Sequence, residues 1–489
     1  MSEQTSQLPS YITSATPNPA GNRAPWYKNT APTYAGIFLW FVFWQDAANA
    51  SAMGGLLSHG IGWALISLVI SAAICHFLFY LVPGMLGMKT GLPLYIVGTS
   101  TFGAQGGFIL PGFLMGVLQF GWLGVNVYFS SLAINAMIPS IPANVIMVIW
   151  GVLAAFVGLK GIKYVGMVAT YLPLIPLVVL LLLVAKTAGG IGSFDPQKFV
   201  ELHKATVPAA PAALSTFGVL AFMMTFVVGF FATAGAAGVD FGTNSRDKKD
   251  VSMGGIIGIL VAIVVTGGLA ILAVAGAYGS PEICKQTVEA GKGSIILQAP
   301  GLIPVLFGAK SGLIMFLLAI AAFPPACFSS FIAANSFRTT LPKVNPFISV
   351  GIGAAVSIAL AITGMAGKAI VVFQIIGASF GPVCGAMMVD YILSKGKWTG
   401  PRAGFNPAGW IAWFLGFIVG ILPIGAVPDL IRPNVPFGFV TTFFGIERFW
   451  SYLCTSCAPV AAFIVGATVY LICSKLGWRS AVIPIPAKK

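Results

Sequence analysis

The chain has 489 residues, of which 57% are hydrophobic and 8% charged, and 26 Lys and Arg against 12 Asp and Glu leave it at +14. A soluble domain carries about 25% charged residues, so a chain this apolar could not cover its own surface in water and a soluble globular protein is excluded. The basic excess is no nucleic-acid footprint either, because 17 of the 26 basic residues fall on one set of loops once the apolar runs are marked out.

The first 32 residues are polar, rich in Pro, Ser, Thr and Asn, and show no charged-then-apolar run ending in a cleavage site; the first apolar run is expected to direct insertion itself. A bilayer span needs about 20 mostly apolar residues. Runs of that kind lie near 33–58, 61–83, 107–137, 142–160, 163–186, 214–241, 253–279, 310–338, 346–366, 369–394, 407–427 and 450–475. They predict an all-α polytopic membrane protein of about twelve transmembrane helices with the lipid bilayer as its surroundings. Loops holding Arg23, Lys89, Arg246, Lys249, Arg338, Lys395 and Lys475 share one side. Basic loops stay in the cytoplasm, which predicts a multi-pass inner-membrane protein with both termini inside.

Helix 1 is interrupted at its middle, reading Gln45-Asp46-Ala-Ala-Asn49-Ala-Ser51-Ala-Met-Gly54-Gly55, and helix 6 reads Gly229-Phe230-Phe231-Ala-Thr233-Ala-Gly235 and on to Asp240. Backbone broken at membrane depth is tolerated only where it lines a cavity, and interrupted segments at matching positions of two halves point to a transporter's central site. The offset of five helices predicts two five-helix repeats of opposite orientation, 33–186 and 214–394, forming a core over 33–394. The additional helices 11 and 12 span 407–475, with tails at 1–32 and 476–489. Gly and Ala also serve plain helix packing, and that reading stays open for each of them singly.

Three carboxylates lie at or near membrane depth: Asp46, Asp240 and Asp390. An acid there is costly and has a partner or a task. Asp240 and Asp390 sit at helix ends beside basic residues and read as anchors. Asp46 is deeper, next to the break, and is the candidate for cation or proton coupling. Helix 3 carries Gln119 and Trp122 three residues apart, on one face; an indole can stack on a flat ring and an amide can pair with its edge. Helix 8 carries Ala326, Ser329, Ser330 and Asn335. Hydroxyls and carbonyls are hard oxygen ligands suited to Na⁺, although both serines could equally bond back to their own helix.

The Cys454-x-x-Cys457 spacing reads as small-residue packing within an apolar helix, the stretch Lys285–Leu297 as a short helix over the outer face, and the three histidines as helix-end or loop residues without metal spacing. No Walker loop or nucleophile elbow is present, so the chain reads as neither an enzyme nor an ATP-driven pump, and no cofactor is expected.

At these residues the chain resembles the nucleobase–cation symporter family, the cytosine and purine permeases with their hydantoin and allantoin relatives, over roughly residues 21–475. Asn22-Arg23-Ala-Pro-Trp26, Gln119-Phe-Gly-Trp122-Leu-Gly124, the helix-6 segment from Gly229 to Phe241, Ser329-Ser330-Phe-Ile-Ala-Ala-Asn335 and Pro382-Val-Cys-Gly385 carry the resemblance, in that order. It implies a LeuT-like five-plus-five inverted repeat with two extra C-terminal helices, and import of a nucleobase or related planar N-heterocycle by Na⁺ or H⁺ symport. It further implies a substrate contacted by Gln119, Trp122, Phe230, Phe231, Thr233, Asn335 and Asn49, with Trp122 and Phe231 on the two ring faces. A Na⁺ would lie at Ser329, Ser330 and Ala326. Asp46, and the Gly242–Asn244 insertion before Arg246, depart from the family pattern. An amino-acid or amine transporter of the same architecture, using Asp46 as charge partner, and a non-transporting receptor or channel are the competing classes.

Overall fold

A computed structural model describes residues 8–44, 48, 50, 52–160, 172, 174–421 and 457–485. Among them there is no β-strand, only two isolated bridges, Ala24 with Ser245 and Arg402 with Val482. The long helices are α1 (Thr30–Trp44), α2 (Ile61–Thr90), α3 (Phe108–Met137), α4 (Ala143–Lys160), α5 (Leu174–Ile191) and α6 (Thr216–Ala236). They continue as α7 (Lys248–Gly279), α8 (Ser311–Thr340), α9 (Pro346–Ile362), α10 (Ala369–Leu393), α11 (Pro407–Ile421) and α12 (Ala458–Lys475). Nine described helices are long and apolar enough to cross a membrane, and the order matches the twelve apolar runs.

Lipid offers backbone groups no partners, so each helix must satisfy its own ends. Ser215 accepts from Gly218 N at 3.0 Å to start α6, and Asn345 accepts from Phe347 N at 3.0 Å, with Pro346 in the first turn, to start α9. Gly91 and Gly364, at φ +64° and +74°, end α2 and α9 in the left-handed conformation that only glycine adopts without strain.

Burial sorts the helices into an inner and an outer set. The most apolar window of α6 is 78% buried and that of α10 is 72%, against 33% for α4 and α5. Thus α6 and α10 form the core and α4 and α5 turn toward lipid. Close approach makes this possible: a Cβ on Gly229 of α6 would stand 2.8 Å from the Phe373 carbonyl of α10, and one on Gly377 would stand 2.6 Å from Pro459 of α12. Short π-helical stretches occur within α2 at Cys75–Tyr80, at the start of α3 at Phe108–Leu114 and within α7 at Ile256–Val261.

Helix 6 is interrupted within its Gly-rich motif, at Ala237, as expected, and three other expectations need correction. The first piece, α6, runs through Gly229 and Gly235 to Ala236, and a separate turn of helix, Gly238–Gly242, follows Ala237. Those glycines admit Phe373 and Phe79, which is a packing role. The short helix expected over Lys285–Leu297 spans Pro281–Ala290 instead, started by the proline. The segment between α5 and α6 contains a helix, Pro196–Thr206. His76 lies in the middle of α2, buried, with Nδ1 unpartnered among the described residues, rather than at a helix end. Asp390 is an anchor, but toward different partners than Lys395 and Lys397: Tyr470 donates to it at 2.8 Å, and Arg402, itself buried, lies 3.5 Å away. Asp46, Asn49, Ser51 and Cys454 lie outside the described residues.

The polar N-terminal segment is fastened to one end of the bundle. Asn18 Nδ2 donates to the Thr243 carbonyl at 3.0 Å, Arg23 to that of Met88 at 2.9 Å, and Ala24 N to that of Asn244 at 2.8 Å. Trp26 N donates to Asp250 at 3.1 Å, and the Tyr11 hydroxyl donates to Ala104 O.

Candidate functional site

Where α1, α3, α6 and α8 meet, a cavity of about 530 Å³ opens toward the end that carries the N-terminal segment. Tyr27, Lys28 and Asn29 stand at its mouth, Gln119, Trp122 and Asn126 of α3 form one wall with Phe230 and Thr233 of α6, and Pro324, Pro325, Phe328 and Ser329 of α8 form the other. A volume of this order suits a small ligand. Lys28 is the one charged side chain among the described lining residues.

The α3–α6 wall is held rigidly. Trp122 Nε1 donates to Thr233 Oγ1 at 3.2 Å, its ring stacks on Phe373 of α10 with centroids 5.1 Å apart, and it meets Phe230 edge-on at 4.6 Å. Indole, hydroxyl and two phenyl rings therefore fix one another. Gln119, one turn before Trp122 on the same face, is buried, and among the described residues its side chain makes one weak bond, from Nε2 to Met115 Sδ at 3.5 Å.

Asn126, one turn beyond Trp122, belongs to the site although it was not singled out in the sequence. Its Nδ2 donates to the Ala322 carbonyl of α8 at 2.8 Å, and its Oδ1 accepts from Trp150 Nε1 of α4 at 3.2 Å. The amide thus ties α3 and α4 to α8 just before the Pro324–Pro325 pair, where proline removes helical N–H donors. The i, i+4 relation to Trp122 was the available signal. Phe373 had none, since only the packing of α10 on α6 brings it to the indole.

The remaining site residues separate. Phe230 lines the cavity, whereas Phe231, about 100° further round the helix, is wholly buried against Phe38 and Tyr34, each at 5.7 Å. Phe231 is therefore not the second stacking face. On α8, Ser329 faces the cavity and its Oγ bonds back to the Pro325 carbonyl at 3.3 Å. Ser330 turns away: a Cβ on Gly158 of α4 would stand 2.7 Å from the Ser330 Cβ, and its buried hydroxyl has no partner among the described residues. Ala326 is fully buried. Asn335 is exposed, two turns toward the cavity mouth from Phe328, and does not line the cavity.

No family model matches the chain. Solved structures show the fold: the chain is similar to Mhp1, a nucleobase-cation-symport-1 family transporter, in a closed conformation with bromovinylhydantoin bound, at TM-score 0.59 and 13% identity over 96% of each chain. It matches the inward-facing conformation of Mhp1 at TM-score 0.61 over 96% of this chain and 97% of that one. A Na⁺-coupled sialic acid symporter follows at TM-score 0.54 and 14% identity, over 98% of this chain and 96% of that one. The fold is thus that of LeuT-like transporters, all-α and multi-pass.

The family likeness rests on two sequence relatives. The chain is 25% identical over 184 residues to a cytosine permease of Escherichia coli strain K12, covering 37% of this chain and 38% of the permease. It is 26% identical over 101 residues to an allantoin permease of Bacillus subtilis strain 168, 20% of each. The matched stretch thus spans less than two fifths of these relatives' length. With the fold, these matches bear out the resemblance to the nucleobase–cation symporter family, whose members here are permeases and transporters, not enzymes.

Proposed function

We propose that the chain is a secondary active transporter importing a nucleobase or related planar N-heterocycle by symport with Na⁺ or H⁺, through alternating access. The observation that carries this is the cavity wall in which Phe373, Phe230 and Thr233 hold Trp122, with the buried Gln119 amide one turn away. An aromatic plane beside an amide suits a flat ring with polar edges. The amine reading would want a carboxylate in the wall, and the described lining offers only Lys28. The same charge at the mouth disfavours cationic substrates.

The basic loops support an inner-membrane protein with its N-terminal end in the cytoplasm; in that orientation the cavity opens inward, as for release. A coupling cation would use the Ser329 hydroxyl, with Ser330 and the Ala326 carbonyl joining it if α8 rotates locally; Asp46 is the alternative seat for a proton. The test is uptake of labelled cytosine, adenine, hypoxanthine, uracil and allantoin into proteoliposomes, with and without a Na⁺ or a proton gradient. Saturable, gradient-driven uptake of one of them is expected. Accumulation of none, alongside uptake of an amino acid or amine, would overturn the reading.

A further inference from the structure

At the end of the bundle away from the N-terminal segment, the chain between α5 and α6 folds over the stretch that follows α1. Asp195 caps the helix Pro196–Thr206, accepting from Gln197 N at 2.9 Å and Lys198 N at 3.3 Å. Phe199 docks this helix on α7, its ring 4.6 Å from that of Tyr278. One turn on, His203 is buried, and its Nδ1 lies 2.9 Å from Gly54 N. Gly54 has φ +72°, and a Cβ there would stand 2.6 Å from the Val200 side chain, so only glycine brings its amide this close beneath the helix. Met53 N, donating to the Pro211 carbonyl at 2.9 Å, holds the same stretch. The turn Gly55–Leu57 that follows is buried.

A backbone amide can only donate, so Nδ1 of His203 must accept, and an imidazole nitrogen accepts only while it carries no proton. The ring is therefore neutral with its proton on Nε2. Protonation at Nδ1 would set N–H against N–H in a buried contact.

We propose that His203 is a proton-operated latch, pinning residues 52–57 beneath the Pro196–Thr206 helix while neutral and releasing them when protonated. The charged groups around it do not substitute for this bond. On its own helix Lys198, Glu201 and Lys204 are exposed, and Asp195 is engaged in the cap. On the stretch beneath, His59 Nε2 lies 2.7 Å from the Leu214 carbonyl. From α7, the Tyr278 hydroxyl accepts from Ile296 N at 2.7 Å. Burial lowers the His203 pKa. The released form therefore binds the proton more readily than the latched form. Latching is complete above the ordinary imidazole value of about 6.5 and weakens as pH falls below it. In the orientation proposed above this face is external, so external acid favours opening of that side. The role in transport rests on that reading; the latch does not.

Hydrogen–deuterium exchange of the purified full-length protein tests it, following peptides covering residues 52–58 at pH 7.5 and 5.5 with intrinsic rates corrected. Wild type should lose up to about tenfold in protection between the two, the limit set by one pH unit below an ordinary imidazole. His203→Asn, whose side-chain oxygen can accept the same bond without titrating, should stay protected at both pH values, and His203→Ala at neither. Wild-type protection independent of pH, or pH-dependent loss that persists in His203→Asn, overturns the latch. Absence of base uptake with the exchange pattern intact counts against the transport reading alone.

Discussion

The two walls of the cavity are built differently. On the α3–α6 side, Trp122 is hydrogen-bonded to Thr233 and packed against Phe373 and Phe230, so the plane a ring would meet is already fixed. On the α8 side, Pro324 and Pro325 interrupt the helical bonding, Ser329 spends its hydroxyl on its own helix, and Ser330 points to α4. A preorganised wall binds without first paying for ordering. A wall whose ligands diverge must move to form a site. The aromatic wall should therefore set affinity for rings in every state, and the α8 wall should contribute only in the state that closes on a cation.

The largest effect that could break this contrast is at Trp122. Stacking on an aromatic side chain is worth about 1–3 kcal/mol by alanine substitution, so Trp122→Ala should weaken all ring substrates by about ten- to hundredfold, measured by competition of several bases against one labelled substrate. Intact affinity for every competitor in a folded variant would reduce Trp122 to packing. Next comes the cation. Losing one hydroxyl that binds a charge costs about 1.5 kcal/mol at the low end, so Ser329→Ala should raise the half-saturating Na⁺ concentration about tenfold. Substrate affinity should fall with it through linkage. Ser330→Ala should do less; equal effects would mean that both hydroxyls meet the cation once α8 moves, and no effect of either would shift coupling to Asp46.

Smaller still is Thr233→Val, which keeps the shape of the wall and removes one neutral hydrogen bond worth about 1 kcal/mol. It should cost about fivefold in affinity, uniformly across bases, because it loosens the indole rather than reading the ring. Gln119→Ala should instead change which base is preferred, since an edge donor left unpaired costs about 1–3 kcal/mol for some rings and not others. Asn335→Ala should have the least effect, below about twofold, as for a surface substitution; a marked change of preference there would show that α8 slides inward to bring Asn335 into the cavity.

Hydropathy alone determined a great deal of this protein: twelve apolar runs, an all-helical bundle and charged loops sorted by side. Lipid allows little else, because every unpaired backbone group there is costly. Short-range geometry also carried the i, i+3 pair Gln119 and Trp122, since neighbours on one helix share a face whatever surrounds them. Tertiary structure decided the rest. Which of Phe230 and Phe231 faces the cavity depends on the rotation of α6, set by how Gly229 admits α10 and Gly235 admits Phe79. The same is true of Ser329 against Ser330, which α4 settles at Gly158. Phe373 on Trp122, Arg402 on Asp390 and His203 on Gly54 join residues 251, 12 and 149 positions apart. No local pattern reports such pairs, because their energy exists only once the helices have packed.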